Sequence, residues 1–120
     1  MAATRQLARE TWAEYFDALS KELLNAPVSI EVIATPDPPV VEASHLALLA
    51  LNYDPRDDTF EVAVTRGGPH LPSVLRHLVD HPERVSVDSE TMLAPITIAV
   101  DGPDDARTVI TLEREPEITG

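Results

Sequence analysis

Three of the four histidines lie in one short stretch of the sequence and could take part in chemistry near neutral pH. Imidazole exchanges protons in that range and is a common zinc ligand. Charged residues lie within and just after the same stretch, so this region could bind a ligand or a metal ion or support proton transfer. The candidate site residues are His70, Arg76, His77, Asp80, His81 and Arg84.

A metal site in this stretch depends on its secondary structure. If 70–80 is helical and the helix continues by one residue, His77 and His81 lie on one face at a spacing that can bind zinc, with His70 as a third ligand. The metalloprotease pattern, however, has a glutamate directly after its first histidine, and Leu78 occupies that position here. The histidines of such a helix can equally face water. We therefore predict no resident metal and no cofactor.

Other catalytic patterns are missing. The acidic turns lack the spacing of a calcium-binding EF-hand loop, and aspartate is an ordinary turn residue. The chain has no cysteine, only four glycines, no Gly-x-Ser-x-Gly turn and no phosphate-binding loop. A non-enzymatic protein is therefore favoured over an enzyme. The two acidic turns contain Asp54, Asp57 and Asp58, and Asp101, Asp104 and Asp105.

The first element that would position these residues is an amphipathic helix, predicted over 8–24. Its apolar residues recur at helical spacing and form one face. Asn25 and Pro27 end it, because proline cannot continue the hydrogen-bond ladder. We expect this face to pack on the rest of the chain; an exposed face would instead predict a homodimer. The apolar residues are Trp12, Tyr15, Phe16, Leu19 and Leu23.

After Pro27 the apolar period changes from helical spacing to alternation, which indicates strands. The acidic turn at 54–58 joins two of them in a hairpin, whereas 70–80 fits either a helix or a strand. We predict an α+β fold in which the N-terminal helix packs on a mainly antiparallel sheet of about five to seven strands, with closure into a barrel left open. Residues 1–120 are expected to form a single domain, frayed at 1–6 and 115–120.

Several short segments, spread over most of the chain, resemble a bacterial family of unknown function numbered 5335. The resemblance implies a small soluble bacterial protein, and it implies no activity, cofactor or catalytic residue. The matching segments are 4–12 (TRQLARETW), 15–17 (YFD), 19–20 (LS), 28–32 (VSIEV), 41–43 (VEA), 75–79 (LRHLV) and 82–85 (PERV).

The net charge of −12 restricts the partners. A surface this acidic repels nucleic-acid phosphates and anionic lipids, so neither direct nucleic-acid binding nor membrane binding is expected. Without a signal peptide or a long apolar span, the default location is the cytoplasm. The leading hypothesis is a protein-interaction or accessory module whose partner has a basic surface. The alternative is a small-ligand or metal-binding protein, or an enzyme, that uses the His70, His77 and His81 region.

Overall fold

A computed structural model of the chain describes residues 4–66, 73–88 and 96–113. These residues form one α-helix, α1 (Trp12–Glu22), two short 3-10 turns at Arg9–Thr11 and Pro103–Asp105, and a single sheet. The strands are β1 (Thr4–Gln6), β2 (Pro27–Ala34), β3 (Val40–Asp54), β4 (Thr59–Arg66), β5 (Ser73–Asp80), β6 (Arg84–Asp88), β7 (Ile96–Asp101) and β8 (Ala106–Leu112).

The predicted helix packs on the sheet, as its apolar face requires. Trp12 and Phe16 are 2% and 0% exposed, and the Phe16 ring lies 4.9 Å from the ring of Phe60 on β4. Complete burial of a phenylalanine stabilises a fold by about 1.5–3 kcal/mol. The helix ends because Asn25 adopts a left-handed conformation with φ of 70°. It is shorter than the predicted span of 8–24.

The described sheet has eight strands in the order β1-β6-β7-β8-β2-β3-β4-β5, and every neighbouring pair is antiparallel. The prediction of a mainly antiparallel α+β fold is confirmed. Within the described residues no ladder joins the end strands β1 and β5, so the sheet is not closed into a barrel. It curls instead, so that the inward side chain of His77 on β5 reaches Thr108 on β8.

Strand β3 is divided between two partners. Its first half pairs with β2, between Val40 and Ala47, and its second half pairs with β4, between Ala47 and Asp54. Register shifts in both ladders and a positive φ of 53° at His45 bend the strand where the partners change. On the β4 side, the first half of β3 therefore has no ladder within the described residues.

Three features add to the sequence prediction or decide between its alternatives. Thr4–Gln6, in the segment that is predicted to fray, pairs with β6. Three residues are too few for their own pattern to predict such a contact. With this strand and β5 included, the sheet exceeds the predicted five to seven strands. The helical alternative for 70–80 is wrong where the structure describes that segment, because β5 pairs with β4 along its whole length.

No helix in the described parts of the chain is long and apolar enough to cross a membrane.

Candidate functional site

The five described members of the predicted site do not meet one another, and His70 lies outside the described residues. Each of the five contacts a different residue. Arg76 pairs with Glu61, His77 Nε2 lies 3.2 Å from Thr108 Oγ1, Asp80 Oδ1 accepts a bond from the Thr59 hydroxyl at 3.3 Å, His81 Nδ1 lies 3.2 Å from Asp58 Oδ2, and Arg84 Nε lies 3.6 Å from Asp101 Oδ2.

The strand conformation of β5 explains this dispersal. Successive side chains of a strand alternate between its faces, so Arg76 points outward while His77 points inward. His81 directly follows the end of the strand, and four residues of extended backbone place it about 13 Å from His77. The shared helical face on which the zinc hypothesis depended is absent from β5. In the described residues no group of three His, Asp or Glu side chains is placed to hold a metal ion.

His77 makes an internal polar contact between distant strands. It is opposite Val62 of β4, on the inner face of the sheet, and its ring reaches Thr108 of β8. Burial lowers the pKa of His77, while the nearby carboxylate of Glu42 opposes this shift. The imidazole is therefore held in its neutral form at neutral pH, and it joins β5 to β8.

Sequence analysis missed a second group of polar residues, which we call the polar cluster: Arg9, Tyr53, Asp58 and His81. The Arg9 guanidinium donates to Asp58 Oδ1 at 3.1 Å and to the Pro82 carbonyl oxygen at 3.0 Å. The Tyr53 hydroxyl donates to Asp58 Oδ1 at 2.6 Å. The cluster draws on three segments that lie far apart in the sequence, at Arg9, Tyr53–Asp58 and His81, so no local pattern groups them, and Asp58 alone resembles an ordinary turn residue.

The backbone and the ring of Trp12 complete the polar cluster. Asp58 and His81 both adopt left-handed conformations, with φ of 51° and 56°, and the His81 amide donates to the Asp58 carbonyl oxygen at 2.7 Å. The Arg9 guanidinium lies 4.5 Å from the centre of the Trp12 ring, which contacts the Tyr53 ring edge-on. The cluster thus ties the start of the chain to the β3–β4 turn and the β5–β6 turn.

The acid–base properties of the polar cluster suit a structural role. The hydrogen bond from Tyr53 is the main cause of the lowered pKa of Asp58, and His81 and Arg9 add to it. Burial, followed by the bond to Asp58, raises the pKa of Tyr53 above its usual value. Both shifts move the pKa values further from neutral pH. A general acid or base works best with a pKa near the operating pH.

A polar groove of about 390 Å³ lies near the end of β7. In its lining, the Asp101 carboxylate accepts two bonds from Arg107, at 2.6 and 3.2 Å, and lies 3.6 Å from Arg84 Nε. The bond to Asp101 also raises the pKa of Arg107. Because Asp101 engages both guanidinium groups, the arginines are paired within the chain.

The remaining distinctive region contains little titratable chemistry. We call it the edge surface: the outward side chains Val74 and Leu78 of β5, 57% and 53% exposed, and an adjoining groove of about 470 Å³. The groove lies beside the unladdered half of β3 and the start of β5. Its lining consists of Val41, Ala43, Leu46, Val74 and Leu75, with Glu42 and Ser44 as its polar members.

Charge pairing leaves the rest of the surface strongly acidic. Six of the seven cationic side chains that the structure describes form ion pairs with the chain's own carboxylates: Arg9, Lys21, Arg56, Arg76, Arg84 and Arg107. Several exposed carboxylates have no cationic partner among the described side chains: Glu10, Glu14, Asp37, Glu42, Asp57, Asp80 and Glu83. The surplus negative charge is therefore available to other molecules.

Comparison with known proteins assigns the family. The model of a family of unknown function, DUF5335, matches residues 3–119, and the chain belongs to that family. An uncharacterized protein of Aquifex aeolicus (strain VF5) is 36% identical over 88 residues, which cover 73% of each chain. No solved structure matches the chain significantly. The family resemblance inferred from the sequence is confirmed.

Proposed function

We propose that the protein is a non-enzymatic interaction module that binds a protein partner with a basic surface. The observation that carries this proposal is the surplus of carboxylates with no cationic partner among the described side chains, on a chain of net charge −12. Because most described cations are neutralised within the chain, the field outside it is negative. Such a field steers basic partners into contact and repels acidic ones.

The dispersal of the predicted site residues supports the same proposal. A catalytic site needs a nucleophile or base and its orienting group directed at one reacting atom. Here the described titratable side chains of the predicted site each contact a different residue and are not directed at one point. Apart from Leu24, the exposed large apolar side chains among the described residues lie on β3 and β5.

Peptide binding tests the proposed function. We expect a lysine-rich peptide to bind with a saturable one-site isotherm in calorimetry at about 50 mM salt, and to bind more weakly at about 300 mM, where screening is stronger. A glutamate-rich peptide of the same length is the control and should not bind. Failure of the basic peptide to bind at low salt, or binding without saturation, would contradict the proposal.

A further inference from the structure

The edge surface defines the form in which a partner segment can bind, an inference that rests on the proposed function. We propose that an extended basic segment of the partner binds along β5 as an additional strand. Its backbone would pair with the unladdered edge of β5, and its apolar side chains would contact Val74 and Leu78.

The backbone of β5 is suited to strand addition. It has eight residues and pairs with β4 on one side, and no ladder occupies its other side within the described residues. The opposite end strand, β1, has only three residues. A long edge strand presents a row of free N–H and C=O groups that an extended peptide can pair with.

The side chains of β5 give little protection against such pairing. Edge strands are often shielded by an unpaired charged residue or by proline. On β5 the unpaired charge is Asp80, which is the last residue of the strand and leaves the rest of the edge unshielded. The one cation on β5, Arg76, is paired with Glu61 of the neighbouring strand β4. Val74 and Leu78 flank Arg76 on the outer face of β5 and are exposed. The side chains of an added strand would partly cover them.

Local charge favours a basic segment over a second copy of this chain. Glu61 neutralises Arg76, whereas Asp80 at the end of β5 and Glu42 in the groove have no cationic partner among the described side chains. A lysine or arginine can lay its aliphatic stem on the apolar wall of the groove and direct its charge at Glu42. A second copy would bring another net charge of −12 to the same surface.

N-methylated peptides separate strand addition from general electrostatic attraction. The probe is a ten-residue peptide in which five valines alternate with five lysines, measured by calorimetry at low salt. Two isomers carry N-methyl groups, one on every valine and the other on every lysine. Alternate amides of a strand point to opposite edges, so we expect one isomer to lose at least tenfold in affinity and the other to keep most of it.

The possible results have distinct meanings. If the unmethylated peptide fails to bind, the proposed function itself is contradicted. If it binds and both isomers retain its affinity, the charge interaction stands and strand addition is overturned. An equal loss of affinity in both isomers also overturns strand addition, because only one edge of the peptide would pair with β5.

A matched pair of variants locates the binding surface on the protein. Leu78→Lys and Val40→Lys make the same charge change at side chains that are 53% and 52% exposed. We expect Leu78→Lys to weaken the unmethylated peptide at least fivefold and Val40→Lys to weaken it less than twofold, with melting temperatures confirming that both variants fold. Equal weakening would overturn the assignment to β5. The proposal would also be overturned if sedimentation showed that the wild-type protein is a dimer and that Leu78→Lys dissociates it.

Discussion

The polar cluster and the edge surface differ in how their groups are partnered. In the polar cluster, Asp58 accepts bonds from Tyr53 and Arg9 and contacts His81, and the Trp12 ring supports the guanidinium. On the edge surface, Val74 and Leu78 are more than half exposed, and one side of β5 has no ladder within the described residues.

This difference shows that chemically versatile residues need not mark the functional region. The polar cluster contains an imidazole, a phenol, a carboxylate and a guanidinium, yet these groups satisfy one another and join three segments of the chain. The edge surface has few titratable groups but leaves both backbone and apolar side chains available. Substitutions in the cluster should therefore reduce stability, whereas substitutions on the edge surface should reduce binding.

The largest effect on stability is expected where the polar cluster meets the core. Trp12→Ala should lower the free energy of unfolding by about 3–5 kcal/mol, because it leaves a cavity and removes the support of Arg9 and Tyr53. Urea unfolding measures the change. Leu78→Ala is the comparison on the edge surface and should alter it by less than about 1 kcal/mol. Similar losses in the two variants would contradict the division of roles.

A smaller loss is expected from Asp58→Asn. Asparagine tolerates the left-handed backbone at this position, but it removes the charge that Arg9 contacts and weakens the bond from Tyr53. We expect the free energy of unfolding to fall by about 1–2 kcal/mol. The neighbouring Asp57→Asn is the matched control in the same turn and should change it by less than about 0.5 kcal/mol. If the two substitutions were equivalent, the cluster would not stabilise the fold.

The contribution of Asp58 should also depend on pH. Its pKa in the folded protein is lowered, chiefly by the bond from Tyr53, whereas an unfolded aspartate titrates near about 3.9. The stabilisation is therefore present above that value and is lost as the pH falls through the folded pKa. We expect the difference in unfolding free energy between wild type and Asp58→Asn to shrink as the pH falls below about 4. A difference that did not change with pH would contradict this assignment.

The smallest effect on stability is expected on the edge surface. Val74→Lys replaces a side chain that is 57% exposed, so the free energy of unfolding should change by about 0.5 kcal/mol or less. The same variant should weaken the valine–lysine peptide several-fold, because it places a cation where the basic segment binds. Calorimetry and urea unfolding on one preparation measure the two effects. A large loss of stability together with unchanged peptide affinity would reverse the roles that we assign.

Sequence analysis predicted the features that local patterns encode. The apolar face from Trp12 to Leu23 identified the helix and its packing, and the acidic turn at 54–58 identified the β3–β4 hairpin. The pattern of 70–80 fits both a helix and a strand, because its apolar residues suit a helical face about as well as a strand: Val74, Leu75, Leu78 and Val79. Only the ladder to β4 settles the described part as a strand.

The polar cluster could not be predicted, because it depends on contacts between distant residues. Arg9 and Asp58 are separated by 49 positions, and Arg9 and Pro82 by 73. The edge surface could not be predicted for a related reason. A strand becomes an edge only through the order of the whole sheet, and the alternation in β5 is the same whether one or two neighbours flank it.

Amide hydrogen exchange, with and without the valine–lysine peptide, tests the central claim most directly. We predict that bound peptide slows exchange at alternate residues of Ser73–Asp80 and leaves the amides of Arg9, Asp58 and His81 unchanged. Slowing centred on the polar cluster, or no slowing in β5 at saturating peptide, would contradict the assignment of binding to the edge surface.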